Sequence, residues 1–238
     1  MKAMLFAAGL GTRLKPFTDK HPKALAVVNK QTLLQRNIVY LKSFGVREFI
    51  INIHHFGDQI QEFLKANNNF GCNISISDER EEVLETGGGL VKAKPLLGDN
   101  PFLVMNVDIL TDLDLNSMIQ FHEKNNPLIT LAVSDRNSSR KLFFNTENRL
   151  VGWKNLSTEE NIFADSYLET NSVPLAFSGI HIMNPQIFSL ITHKGKFSIM
   201  KTYMELMRNE IIMGYKHDAY LIDVGKPESI IEAERYFI

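Results

Sequence analysis

Lys2-Ala3-Met4-Leu5-Phe6-Ala7-Ala8-Gly9-Leu10-Gly11-Thr12-Arg13-Leu14-Lys15-Pro16 begins as an apolar run of strand length and empties at once into glycines and basic residues. Glycines directly after a strand let backbone N–H groups approach an anion with no Cβ in the way. Arg13, and Lys23 in the following Pro22-Lys23, add fixed positive charge. Leucine stands at position 14, where a Rossmann dinucleotide fingerprint needs its third glycine, and no Walker-type Gly-Lys-Ser/Thr follows. Taken alone, the stretch fits either a polyphosphate cradle or a tight turn carrying solvated basic residues.

Outward from this stretch, apolar runs alternate with segments of helical spacing. Strands are expected at residues 2–8, 48–54, 73–78 and 102–106, with helices at 33–44, stopped by Gly45, and at 57–66. Buried strands alternating with helices predict an α/β fold, a Rossmann-like mixed, mostly parallel sheet with helices on both faces. After Asp112 the rhythm changes: a helix at 115–125, a strand at 128–134, a hairpin over 141–153, then a polar stretch from Asn155 to Asn171. A strand at 175–183, a helix at 198–208, a short strand at 219–224 and a helix at 227–236 with Pro227 near its start complete the chain. One domain over 1–238 is expected, with a nucleotide-type half (1–112) and a second half (113–238) that completes a cleft.

The 238 residues suffice for a sizeable core, and 44% hydrophobic with 22% charged is ordinary globular composition. Twenty-six basic against 27 acidic residues leave a net charge of -1, which gives no footprint for wrapping nucleic acid or coating an anionic membrane. The lone Cys72 has no intramolecular disulfide partner, and no apolar run reaches the roughly 18 residues that would suggest a membrane span. A cytoplasmic protein is expected, since the N-terminal apolar run passes directly into Gly-Leu-Gly rather than a cleavage site.

Two further features bear on chemistry. Glu85-Thr86-Gly87-Gly88-Gly89 opens an expected helix with a backbone bare enough for a flat base or a sugar, or simply makes a flexible turn. Asn106-Val107-Asp108 and Ile222-Asp223-Val224-Gly225 place aspartates at strand ends, where open α/β sheets bind ligands and a divalent metal is well served. Either aspartate alone reads equally as a cap or turn residue. His54 and His55, adjacent in a strand, point to opposite faces and make poor joint metal ligands. The run Asp78 to Glu82 reads as a solvated loop, and Met200, Met204 and Met207 as core.

Together, Leu5 to Pro16 with Pro22-Lys23-Ala24-Leu25, then Glu85 to Gly89, Asn106 to Asp108, Phe177-Ser178-Gly179-Ile180 and Asp223-Val224-Gly225 resemble the motifs of the sugar-1-phosphate nucleotidylyltransferases over nearly the whole chain. The short length and Leu-Glu-Thr-Gly-Gly-Gly are most similar to the N-acetylmuramate 1-phosphate uridylyltransferase branch, with mannose- and heptose-1-phosphate guanylyltransferases as neighbours. The resemblance implies the nucleotide-diphospho-sugar transferase fold, Mg²⁺ dependence, and a nucleoside triphosphate and a sugar 1-phosphate as partners. It also implies a monomer or weak dimer, since the added C-terminal domains through which some relatives assemble have no counterpart here.

Carried over by motif, Arg13, Lys23, Asp108 and Asp223 are catalytic, and Asp108 and Asp223 hold the metal. Ala8, Gly9, Gly11, Thr12, Arg13, Lys23, Gly87, Gly88 and Asn106 bind nucleotide, and Lys154, Ser178 and Gly179 bind sugar phosphate. Three positions depart from the family pattern: Val107 replaces a common glycine, Trp153-Lys154-Asn155 replaces Glu-Lys-Pro, and Lys226 replaces a threonine. A catalytically idle nucleotide-sugar sensor and a phosphocholine cytidylyltransferase are the competing readings, the first opposed by the joint presence of all four charged residues.

Overall fold

The computed structural model describes residues 1–164 and 172–238. The opening run forms β1 (Lys2–Phe6), and the glycine loop leads to a two-residue hairpin, β2 (Val27–Val28) and β3 (Gln31–Thr32). The Thr32 hydroxyl accepts from Gln35 N at 3.1 Å and caps α1 (Leu33–Ser43), which stops before Gly45 with its positive φ. There follow β4 (Glu48–Ile53), α2 (Gly57–Ala66), β5 (Asn73–Asp78), α3 (Glu85–Leu97), β6 (Phe102–Asn106) and β7 (Ile109–Thr111). The second half comprises α4 (Leu115–Asn125), β8 (Ile129–Ser134), β9 (Arg140–Phe144), β10 (Leu150–Asn155), β11 (Asn161–Phe163), β12 (Val173–Met183) and α5 (Ile187–Leu190). It closes with α6 (Ile199–Leu206), β13 (Ile212–Lys216), β14 (Leu221–Asp223) and α7 (Pro227–Tyr236).

The central sheet is mixed and mostly parallel, as expected. β5, β4, β1 and β6 run parallel, β12 enters antiparallel beside β6, and β8 and β13 continue parallel to one another. β9, β10 and β11 extend it as an antiparallel meander attached through the start of β12. Successive strand residues face opposite ways. Leu5, Ile51 and Met105 therefore pack under α1, α2 and α4, while Met4, Ile50 and Val104 pack under α3 and α6. A smaller cluster of Leu14, Leu110, Ile222, Val224 and Ala233 ties the glycine loop to β7, β14 and α7.

Three readings need correction or limit. β13 was not expected, because Gly214 breaks its apolar run; in the fold that glycine lets the Phe144 ring lie against the strand, where a Cβ would come within 2.7 Å of it. Glu79, in the acidic run read as solvated, is only 1% exposed. Of the polar stretch 155–171, a turn and β11 are seen, and residues 165–171 lie outside the described residues.

Candidate functional site at the carboxyl edge of the parallel strands

β1, β4 and β6 end side by side, with Phe6 in register with Asn52 and with Asn106. Asn52 Oδ1 accepts from Ala7 N at 2.7 Å and Ala8 N at 3.3 Å, which anchors the chain just before it turns into the glycine loop. Its Nδ2 donates to Glu79 Oε1 at 2.8 Å, and Leu84 N donates to the other carboxylate oxygen at 3.4 Å. Burial pushes the Glu79 carboxyl above its usual range, against the lowering by those two hydrogen bonds.

Gly9 leaves open space where a Cβ would stand, so the backbone there is accessible. Gly11 has a φ of 61°, and a Cβ on it would come within 2.9 Å of both Lys23 and Thr18. Glycine is thus required at this position by conformation and by contact. The loop is held further by Leu14 N and the Thr18 hydroxyl, which donate to Gly11 O at 2.8 and 2.9 Å.

The two aspartates meet because β14 pairs antiparallel with β7, placing Asp223 opposite Ile109, the residue after Asp108. Val224 N also donates to Asp108 O at 2.8 Å, and Asn37 on α1 donates from Nδ2 to Val107 O at 2.8 Å. Lys23, only 8% exposed, ion-pairs with Asp108 and lies 4.0 Å from Asp223. Arg13 Nη2 is 3.8 Å from Asp223 and passes over Gly225, where a Cβ would approach it to 2.7 Å. Burial and then the Asp108 charge push the Asp223 carboxyl upward, while Lys23, Arg13 and Arg136 pull it down. Asp108 and Asp223 thus repel one another while Lys23, Arg13 and Arg136 offset their charge.

Ala8, Gly9, Gly11, Thr12, Arg13, Lys23, Asn106 and Asp108 line one cleft of about 560 Å³, together with Gly225 next to Asp223. Other expected residues lie elsewhere. Gly87 and Gly88 are not on the cleft wall: both N–H groups turn to Phe197 O, and Cβ atoms there would collide with the Phe197 ring and Gly195 O at 2.2 and 2.1 Å. Their bareness serves the packing of α3 against the 195–198 loop, and it is Glu85 and Thr86 that face the cleft.

Ser178 is fully buried, its hydroxyl 2.9 Å from His217 Nε2, and it does not line the cleft. Gly179, at φ 76°, sits where β12 breaks register and makes room for Asn106 and Ile109. Lys154 lies on β10 opposite Lys141 and Asn161 and does not line the cleft.

Sequence reasoning missed Asn52, Glu79, Lys196 and Ser198 on the cleft and Arg136 within electrostatic reach of Asp223, while Glu85 lies in a stretch it had singled out. Of the missed residues, Asn52 carried a signal, a polar residue inside the apolar run from Phe49 to Ile53. Among the described residues no three His, Cys, Asp or Glu side chains gather as a metal-holding group, and no helix is long and apolar enough to cross a membrane.

A glycine loop after β1 and paired charges at the strand ends define a nucleotidyl transferase, and the chain belongs to that family, whose pattern matches residues 2–142. It is 34% identical to the N-acetylmuramate alpha-1-phosphate uridylyltransferase of Neisseria meningitidis serogroup B, over 98% of this chain and 97% of that protein. The enzyme of the same description from Caulobacter vibrioides is 30% identical over 98% and 95%. In three dimensions the chain matches HddC from Yersinia pseudotuberculosis complexed with GMP-PN, with a TM-score of 0.81 and 22% identity over 100% of this chain and 99% of that one, so the fold is shared.

Proposed function

We propose that this chain is a sugar-1-phosphate nucleotidylyltransferase that transfers the uridylyl group of UTP to N-acetylmuramate 1-phosphate. The observation that carries the reading is the convergence of Arg13, Lys23, Asp108 and Asp223 beside the Gly9–Gly11 loop. An oxygen of the sugar phosphate forms a bond to the α-phosphorus of the triphosphate, the bond to the β-phosphate oxygen breaks, and pyrophosphate leaves with that electron pair. The nucleophile is already an anion, so no general base is needed.

The open backbone at Gly9 and the loop through Thr12 receive the phosphates. Arg13 and Lys23 offset the charge that builds on the α-phosphate and on the departing pyrophosphate. Lys23 moves from its aspartate partner to phosphate when substrate enters. Glu85 and Thr86 form the wall nearest the base. The donor set fits Mg²⁺, two hard carboxylates with a shared deficit of positive charge. Held by Asp108 and Asp223, Mg²⁺ would supply electrostatic stabilisation of the phosphate oxygens.

The choice of UTP and N-acetylmuramate 1-phosphate rests on the two full-length relatives. With that choice we infer a cytoplasmic enzyme, working where triphosphates are supplied, in the recycling of cell-wall peptidoglycan. Mannose-1-phosphate guanyltransferases are more distant: that of Yarrowia lipolytica is 26% identical, and the match spans 62% of it. Pyrophosphate release from the four triphosphates against a panel of sugar 1-phosphates tests the reading, with UTP and N-acetylmuramate 1-phosphate expected to be used best. Preference for GTP with mannose or heptose 1-phosphate would replace it with a guanylyltransferase, and nucleotide binding without turnover would leave a sensor. Light scattering is expected to find a monomer or weak dimer.

A further inference from the structure

Beside the cleft runs a second concavity of about 750 Å³ between α6 and the face of the β9–β11 meander that carries Trp153 and Ile162. Ser198 lines both, so the two adjoin at that residue. The loop that begins at Arg136, which feels the Asp223 charge and donates from Nη2 to Phe177 O at 2.7 Å, runs on to Arg140 in the groove. A substrate anchored by phosphate in the cleft can therefore extend its other end here.

The groove has a distinct chemistry. Trp153, Ile162, Met200 and Met204 give it apolar walls suited to the face of a sugar ring and its acyl substituents. Its two carboxylates are engaged: Glu205 with His193 Nε2 at 2.8 Å, and Glu160 with the Thr158 hydroxyl at 2.9 Å. Arg140 and Lys201, also on its wall, make no side-chain hydrogen bond or ion pair among the described residues. Cations left without an acceptor beside an apolar wall, next to carboxylates already taken, suit an amphipathic anion.

We propose that this groove holds the sugar end of the acceptor and that Arg140 and Lys201 pair with a carboxylate on that sugar, making them the residues that select an acidic sugar 1-phosphate over a neutral one. The proposal rests on the transferase reading and sharpens its substrate class. Guanidinium and ammonium groups bind a carboxylate by charge-assisted hydrogen bonds, and a site built for such a group discriminates strongly against an analogue that lacks it. A neutral sugar would enter the same groove but leave both cations without a partner.

The test uses the full-length enzyme with UTP and Mg²⁺ and three acceptors: N-acetylmuramate 1-phosphate, its lactyl methyl ester, which keeps the shape but removes the charge, and N-acetylglucosamine 1-phosphate. The wild type is expected to favour the acid over the ester by about 50-fold or more in kcat/KM, mostly through KM. Arg140→Gln and Lys201→Gln should each cut that ratio roughly tenfold, the double variant should nearly erase it, and Arg140→Lys should restore part of it. Equal use of acid and ester by the wild type, or equal losses on all three acceptors in the variants, would overturn the proposal while leaving the transferase reading standing. Absence of pyrophosphate release with every acceptor would overturn the transferase reading and this proposal with it.

Discussion

Buried polar side chains do opposite things in the two halves of the sheet. In the first half they serve the backbone and the site: Asn52 holds Ala7 and Ala8, Asn37 holds Val107, and Lys23 faces Asp108. In the second half they pair off among themselves. His181 Nδ1 lies 2.7 Å from the Tyr203 hydroxyl, His122 Nδ1 2.8 Å from the Thr130 hydroxyl, and His217 Nε2 2.9 Å from Ser178, and among the described residues the far ring nitrogens of His181 and His217 are buried with no hydrogen-bond partner. Burial pushes all three imidazoles below their ordinary range, His181 to about 3. One half uses polarity to position a charged cleft, and the other confines neutral imidazoles inside its packing.

The largest effect expected from this contrast is kinetic. Asp108→Asn and Asp223→Asn should each fold and lose roughly a hundredfold or more in turnover, because each removes an anion from the proposed Mg²⁺ site. Near-normal turnover by Asp223→Asn at low Mg²⁺, beside an inactive Asp108→Asn, would mean that the carboxylates do not act as a pair. Lys23→Ala should also lose activity and resist rescue by added Mg²⁺.

Next comes the seam between the halves. Gly88→Ala places a methyl against Gly195 O, so urea denaturation should show a loss of up to about 3 kcal/mol. If saturating nucleotide restored the wild-type stability difference, the glycine would belong to the ligand and not to the seam. Asn52→Ala strips the anchors from Ala7, Ala8 and Glu79 and should lose about 2 kcal/mol while raising KM for the triphosphate. An unchanged KM would detach Asn52 from the cleft.

The smallest effect separates the halves by pH. The folded protein refuses a proton at His181 that the unfolded chain accepts below about 6.5, so this stability is complete above that pH and is lost as pH falls toward about 3. His181 contributes up to about 1.4 kcal/mol per pH unit in that window. His181→Gln should flatten the slope between pH 6.5 and 5 by up to that amount. A slope identical to the wild type would show that His181 accepts its proton while folded.

The same division explains what could be read in the sequence. α2, β5, β6, α4 and α7 fall where periodicity and punctuation put them, and Gly11 is where a strand must turn, because each of these signals is local. Asp108 and Asp223 are brought near one another through a β7–β14 pairing that no local pattern reveals. The failures depend on neighbours supplied by the tertiary fold. Gly87 and Gly88 look bare until Phe197 covers them, Ser178 looks like a ligand until His217 meets it, and Glu79 looks solvated until Asn52 and Leu84 N enclose it. Gly214 breaks an apolar run that Phe144 nonetheless completes.

β12 has a consequence for how the chain reaches this state. It pairs with β6 along one edge, with β8 along the other and with β9 at its start. The edge of β6 that carries Phe102 to Met105 therefore stays open until a strand some eighty residues further along the chain arrives. Such distant pairing slows folding and exposes a sticky edge meanwhile. A chain released after residue 142, the limit of the family match, would keep the glycine loop and Asp108 yet present that apolar edge to its neighbours, so it should aggregate rather than persist as a small nucleotide-binding unit.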